Sequence, residues 1–116
     1  MNKYIRNIRS NILNLTFKAK SSHIGSCLSI VEILVAIYFS VLKKNDRFIL
    51  SKGHAALALY SILYNLNYSK NFNTEKFNKY PSLLTEHPQL NTKLPGIEFE
   101  SGSLGNGMGV GSGIAY

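Results

Sequence analysis

The sequence has one cysteine, no tryptophan, three prolines and only six acidic residues. A single cysteine excludes an internal disulfide and a cysteine-rich metal cluster, and it fits a reducing compartment. The first twenty residues contain basic side chains but no continuous apolar core of a secretory signal. The apolar run from Ile30 to Leu42 is interrupted by Glu32 and is too short to span a bilayer, which needs about 20 residues. We therefore predict a cytoplasmic protein with no membrane segment.

Acidic residues are outnumbered by 13 lysines and arginines, which gives a net charge of +7. Such a balance is compatible with nucleic acid, an anionic membrane or an anionic small ligand as a partner. The sequence also contains 12 asparagines and 10 lysines, a bias that supplies positive charge without any binding purpose. Basic and aromatic residues do not interleave in a recognisable nucleic-acid motif, so we predict no nucleic-acid partner.

Hydrophobic periodicity predicts a mostly helical chain with one strand. A second helix is expected to begin at Ser29, where Glu32 completes a capping box, and to run to Leu42. Phe48 to Leu50 is predicted to be a buried strand, followed by a glycine-containing turn with His54 and a helix over 55–64. A strand, short turn and helix in this order place ligands at the carboxyl end of a strand in α/β proteins. The first helix is indicated by apolar residues at helical spacing, namely Tyr4, Ile5, Ile8, Ile12 and Leu15.

The second half of the chain is rich in loop signals. Residues 74–80 predict a short helix ended by Pro81, and residues 81–95 contain all three prolines and form a predicted loop. Six of the nine glycines lie between Gly102 and Gly113, interleaved with apolar residues. Glycines this dense allow the backbone to approach a ligand or another helix closely, and a flexible tail is the alternative.

The three histidines, His23, His54 and His87, all lie in predicted loops or at the ends of helices. Imidazole titrates near neutral pH and can both donate and accept a hydrogen bond, so these residues are candidates for acid, base or ligand roles. Their separations of 31 and 33 residues give no local signature of a metal site. The dinucleotide pattern G-x-G-x-x-G and the P-loop pattern both fail in the glycine segment.

Four strings occur in order and identify a resemblance: KSSHIGSCLSIVEILVAIYF, DRFILSKGHAALALYSIL, EHPQ and PGIEFESGSLGNGMGVGSGIAY. Together they resemble the amino-terminal region of transketolases, especially bacterial transketolase amino-terminal subunits, from about Arg6 onwards. The resemblance implies thiamine diphosphate and Mg²⁺ as cofactors. It also implies transfer of a two-carbon ketol unit between sugar phosphates in carbohydrate metabolism.

The same resemblance implies roles for individual residues. His23 and His87 would be catalytic, facing the reacting oxygens of the ketose as charge develops on the carbonyl. The implied cofactor-binding residues are His54, Gly102, Ser103 and Leu104. Ser22 and Glu86 stand where the family commonly has glycine, and a carboxylate at position 86 would repel a phosphorylated sugar.

The family holds its metal and diphosphate with a Gly-Asp-Gly motif, which is missing here; the single aspartate, Asp46, lies in a predicted turn. No metal ligand is therefore assigned, and the sequence stops at Tyr116, before that motif is expected. We predict an α/β fold: an incomplete amino-terminal portion of a thiamine-diphosphate-binding domain over residues 1–116, helix-rich with one strand. Such a chain is expected to be inactive alone and to need a complementary transketolase-like chain or carboxy-terminal region, in an oligomer.

Two other interpretations stay open at this point. The missing metal motif, Ser22 and Glu86 would also suit a non-catalytic assembly or regulatory subunit that retains the fold. A relative of the deoxyxylulose phosphate synthases is the other alternative, although the string SKGHAALALY fits transketolases better.

Overall fold

A computed structural model describes all 116 residues of the chain as five α-helices joined by turns and irregular segments, with no β-strand. The helices are α1 (Asn2–Ala19), α2 (Ile24–Leu28), α3 (Val31–Ala36), α4 (Ala56–Asn65) and α5 (Asn106–Ala115). A π-helical turn, Ile37–Val41, continues α3, and short 3-10 turns occupy Gly53–Ala55, Lys70–Phe72 and Thr74–Lys76.

The first helix confirms the periodicity seen in the sequence. Ile8, Ile12 and Leu15 are buried on one face of α1, at spacings of four and three residues. The helix ends at Lys20, which adopts a left-handed conformation with φ of 53°. The amide of Ser21 then donates to the carbonyl of Thr16, and this closes the last turn and directs the chain towards α2.

The apolar segment after α1 is not the single capped helix that the sequence predicts. It is divided into α2, α3 and the π-helical turn, and α3 has no side-chain cap. The Ser29 hydroxyl instead donates to the carbonyl of Ser26 and accepts from Lys52 Nζ, both at 3.0 Å. The capping-box prediction is therefore wrong, because Ser29 has partners outside the helix it was expected to begin.

Glu32, the acidic residue of that segment, forms an ion pair with α1. Arg9 Nη1 lies 2.9 Å from Glu32 Oε1 and also donates to the carbonyl of Leu28 at 3.2 Å. Both side chains are about half exposed, so water screens the pair. The pair stabilises the packing of α3 against α1 by a small amount.

A double-mutant cycle of Arg9→Ala and Glu32→Ala is expected to give a coupling free energy of about 0.5 kcal/mol in urea unfolding. The more exposed and longer pair of Lys18 with Glu75, at 3.5 Å, serves as the matched control and should couple less. Coupling that does not weaken in about 0.5 M salt would contradict an ion pair as its origin.

The strand predicted at Phe48–Leu50 is absent, and with it the α/β assignment. These residues are not assigned to any regular element, and they make no backbone hydrogen bond to another residue of the chain. A strand exists only as part of a ladder with a neighbouring strand, and no other segment of these 116 residues supplies one. The prediction of one strand is therefore wrong: the β propensity is local, whereas a strand requires a partner.

The core is built around α4. Eight consecutive residues, from Ala56 to Leu63, are buried. Helices α1, α2 and α3 all contact α4, and Phe72, Leu84 and Leu94 from the second half of the chain belong to the same core. The helix is therefore surrounded by other elements.

The second half of the chain has less helix than predicted over 74–80 and more helix than predicted at the glycine-rich end. The helix expected over 74–80 is only the 3-10 turn Thr74–Lys76, whereas 81–95 is irregular, as predicted. The glycine-rich end forms α5, a ten-residue helix. Glycine disfavours a helix by about 1 kcal/mol relative to alanine, so propensity alone did not indicate this one.

Residues Ile24–Val41 satisfy a test of length and hydropathy for a membrane-spanning helix, with a mean hydropathy of 2.1 over 18 residues. Twenty-eight per cent of this stretch is buried inside the chain. Core helices of soluble proteins and signal sequences satisfy the same test, so one such stretch is weak evidence of a span.

Candidate functional site

The three histidines come together in space. The ring centroid of His23 lies 5.5 Å from that of His54 and 5.5 Å from that of His87. His23 is therefore the central member of a row, which we call the histidine row: His54, His23 and His87. Residues separated by 31 and 33 positions converge because three different loops end at the same place on the surface.

Local hydrogen bonds hold the backbone at each of the three histidines. His23 is the residue before α2, and its carbonyl accepts from the amide of Cys27 in the first turn. His54 lies in the 3-10 turn that leads into α4, where the Ala55 amide donates to the Lys52 carbonyl at 2.9 Å. The carbonyl of His87 accepts from the Thr85 hydroxyl at 2.7 Å.

Charged side chains lie beside two members of the histidine row. Partial removal of water from His54, followed by the positive charges of Lys52 and of the neighbouring imidazoles, lowers the pKa of His54. The neutral form of this histidine therefore predominates at neutral pH, and it can accept a hydrogen bond as well as donate one. Glu86 Oε2 lies 4.0 Å from Nε2 of the central histidine, His23.

Cys27 lies beneath the row. Its side chain is buried, and the thiol lies 3.7 Å from the carbonyl oxygen of His54. Burial raises the pKa of the Cys27 thiol above its usual range, which disfavours the thiolate. Cys27 therefore acts as packing under the histidines.

The segment that contains Gly102, Ser103 and Leu104 approaches the row through a close backbone contact. A Cβ atom placed on Gly53 would lie 2.0 Å from the carbonyl oxygen of Ser101, so only glycine permits this approach. Ser101 Oγ is buried and has no hydrogen-bond partner. The residues after it are exposed, and no atom lies within 4 Å of a Cβ placed on Gly102.

A second glycine fixes α5 next to the same turn. The amide of Gly107, in the first turn of α5, donates to Ser51 Oγ at 3.3 Å, and a Cβ on Gly107 would lie 2.5 Å from the Cβ of Ser51. Gly105, just before the helix, has a φ of 89°, which glycine adopts without strain. The amino-terminal end of α5 therefore lies beside the turn that carries His54.

An apolar cavity of about 330 Å³ opens beside this segment. Leu104 and Lys52 line one part of it. The remaining lining comes from Ile30, from two residues of α3 and from residues 48–51. Leu104 itself is 69% exposed. Of the predicted cofactor-binding residues, Gly102, Ser103 and Leu104 are thus exposed, and Leu104 also lines the apolar cavity.

No group of three or more histidine, cysteine, aspartate or glutamate side chains is arranged to hold a metal ion. Asp46 lies in a turn, where its carboxylate accepts from the Lys43 amide at 2.9 Å.

Sequence reasoning singled out the three histidines and the glycine segment but missed Lys52 and Ser101. Lys52 is recognisable only by its position directly before the Gly53–His54 pair. Ser101 carries no signal in the sequence, because its burial against Gly53 is a tertiary contact.

The comparisons with known proteins show the family of the chain. A family profile described as the thiamine diphosphate binding domain of transketolase matches residues 1–116. The chain therefore belongs to the transketolase family, in its thiamine diphosphate binding domain, and the resemblance inferred from the motifs is confirmed.

Individual relatives are similar over almost the whole chain. One of the subunits of an apulose-4-phosphate transketolase from Phocaeicola vulgatus is 36% identical over 116 residues, which cover 92% of this chain and 41% of that protein. Human transketolase is 33% identical, over 94% of this chain and 19% of its own length. The transketolase of Buchnera aphidicola is 32% identical, over 93% and 18%. The chain thus spans well under half the length of these relatives.

Proposed function

We propose that this chain is the amino-terminal part of a transketolase-like enzyme, which transfers a two-carbon ketol unit between sugars with thiamine diphosphate. The observation that carries the proposal is the convergence of His23, His54 and His87 beside an open glycine segment. This arrangement occurs in a chain of the thiamine-diphosphate-binding family. The single buried thiol suits a reducing compartment, and we place the enzyme in the cytoplasm.

The residues present fit the cofactor. Ser101 offers a buried hydroxyl without a partner, and no side chain covers Gly102. In this proposal His54 lies against the cofactor, and Gly102, Ser103 and Leu104 form the segment that holds its thiamine part. When bound, thiamine diphosphate supplies the electron sink that stabilises a carbanion next to a carbonyl carbon.

His23 and His87 act on the ketose in this scheme. A neutral imidazole donates a hydrogen bond from one ring nitrogen and accepts one at the other. The imidazole rings of His23 and His87, with centroids 5.5 Å apart, can contact two neighbouring oxygens of one substrate. They would orient the ketol unit and stabilise negative charge that develops on its oxygen.

Metal binding requires residues outside this sequence. Mg²⁺ prefers several oxygen ligands in an octahedral arrangement, and no carboxylate cluster of residues 1–116 supplies them. We propose that a complementary chain or a further segment provides the metal and diphosphate ligands, in an oligomeric assembly. The similar protein from Phocaeicola vulgatus is itself named as one part of a multi-subunit transketolase, which supports a division of this kind.

Calorimetric titration of thiamine diphosphate with Mg²⁺ tests the proposal. The 116-residue chain is titrated alone and together with a complementary chain that carries a Gly-Asp-Gly segment. We expect affinity at least about 100-fold weaker for the chain alone, because the metal lacks protein ligands there. Ketol transfer should be measurable only in the assembly. An assembly that contains both parts and still binds no cofactor would refute the enzymatic function.

A further inference from the structure

One positive and one negative side chain lie beside the histidine row. Lys52 is at the His54 end, where its charge acts on that imidazole and its Nζ donates to Ser29 Oγ at 3.0 Å. Glu86 lies beside the central histidine, with its Oε2 4.0 Å from Nε2 of His23. The site therefore has a positive charge next to His54 and a negative charge next to His23.

The carboxylate of Glu86 is positioned to act on a ligand. Its side chain is 32% exposed and that of His23 is 33% exposed, so both are partly shielded from water but open to a small molecule. At 4.0 Å the two groups are within ion-pair range but too far apart for a hydrogen bond. The oxygens of Glu86 are thus able to accept hydrogen bonds from hydroxyl groups of a ligand that contacts His23.

The Glu86 carboxylate distinguishes strongly between neutral and anionic groups of a ligand. Sugar hydroxyls donate to it, whereas a carboxylate or phosphate of the ligand is repelled. Partial burial makes that repulsion larger than it would be between fully solvated groups. Lys52 has the opposite preference, since its positive charge attracts anions, and it acts next to His54.

We propose that Glu86 is a specificity-determining residue. It makes the part of the site beside His23 select ketol donors with neutral, hydroxyl-bearing groups next to the reacting carbons over donors with an anionic group there. The inference rests on the proposed function, since it assigns a role within the same site. The inference is compatible with a phosphate at the end of the sugar that is distant from the reacting carbons.

The test compares two donors of ketol units in the complete, cofactor-loaded assembly. Hydroxypyruvate carries a carboxylate next to the reacting carbonyl, and erythrulose carries neutral hydroxyl groups. We expect Glu86→Gln to raise the ratio of kcat/KM for hydroxypyruvate to that for erythrulose by about tenfold. Glu86→Asp retains the charge and should keep the ratio close to that of the unmodified assembly.

Glu75→Gln is the matched control. It removes the same charge from an exposed carboxylate that pairs with Lys18 outside the site, and it should leave the ratio unchanged. If Glu86→Gln turns over both donors with an unchanged ratio, the selectivity role is wrong while the enzymatic function stands. If the unmodified assembly turns over neither donor, the enzymatic function itself is wrong.

A binding measurement decides the role of Glu86 even without turnover. Pyruvate, as an anionic probe, is titrated into the chain while the ring protons of the three histidines are followed by NMR. Glu86→Gln should strengthen pyruvate binding about tenfold, and Glu86→Asp should not. Equal affinities for the Glu86→Gln variant and the unmodified chain would overturn the proposal.

Discussion

Replacing His23 with alanine is expected to lower kcat of the complete assembly by about 100-fold or more. A single hydrogen-bond donor directed at a developing oxyanion typically contributes a factor of this size. His23 is the central member of the histidine row, 5.5 Å from both other rings, so its loss leaves the remaining histidines without their common neighbour. The measurement is steady-state turnover of a ketol donor with saturating cofactor.

The fold should survive this change, because the His23 side chain is one-third exposed and does not belong to the core. Unchanged thermal unfolding would establish that the loss is chemical. Tyr80→Ala is a suitable control, since Tyr80 is fully exposed and its ring stacks on none of the three imidazoles. If His23→Ala turned over its substrate at the normal rate, the chain would be better described as a non-catalytic component of an assembly.

Replacing Gly53 with alanine is the second change with a large expected effect, this time on stability. The new Cβ would lie 2.0 Å from the carbonyl oxygen and 2.5 Å from the carbonyl carbon of Ser101. Both are backbone atoms, so the segment 101–104 must move. We expect the free energy of unfolding to fall by about 3 kcal/mol in urea titrations, as overpacking of this kind commonly costs.

Gly53→Ala should also lower the affinity for the cofactor, because the displaced segment is the one proposed to hold the thiamine part. Gly109→Ala is the matched control: it lies in α5, and nothing is within 4 Å of its Cβ. That variant should gain about 0.5–1 kcal/mol through helix propensity. A Gly53→Ala variant as stable as the unmodified chain would contradict the close approach of Gly53 to the Ser101 carbonyl group.

Local patterns predicted the helices that have a strong period or strong propensity. The apolar residues of α1 recur at helical spacing, and Ala56–Asn65 is a run of good helix formers, so both helices could be predicted. The single helix expected over 29–42 is divided, because Ser29 bonds to Ser26 and Lys52 rather than capping α3. Glycine-rich α5 forms against its own propensity, held by the contact of Gly107 with Ser51.

The candidate site was only partly predictable. The types of residue and their placement in loops indicated histidine chemistry, but separations of 31 and 33 positions along the chain carry no information about distance in space. Glu86 was recognisable as an unusual neighbour of His87, whereas its charged contact is with His23. Which imidazole faces the carboxylate depends on the path of the loop 81–95, and no local rule predicts that path.

By itself, the sequence determined the family, the core-facing side of α1 and the residues that can do chemistry, because motifs, period and residue type are local properties. The tertiary structure decided that Phe48–Leu50 is not a strand, that three histidines form one row, and that Glu86 lies beside the central histidine, His23. Each of these depends on contacts between distant segments. A strand needs a neighbouring strand, and the charge beside a histidine depends on which loops come together in space.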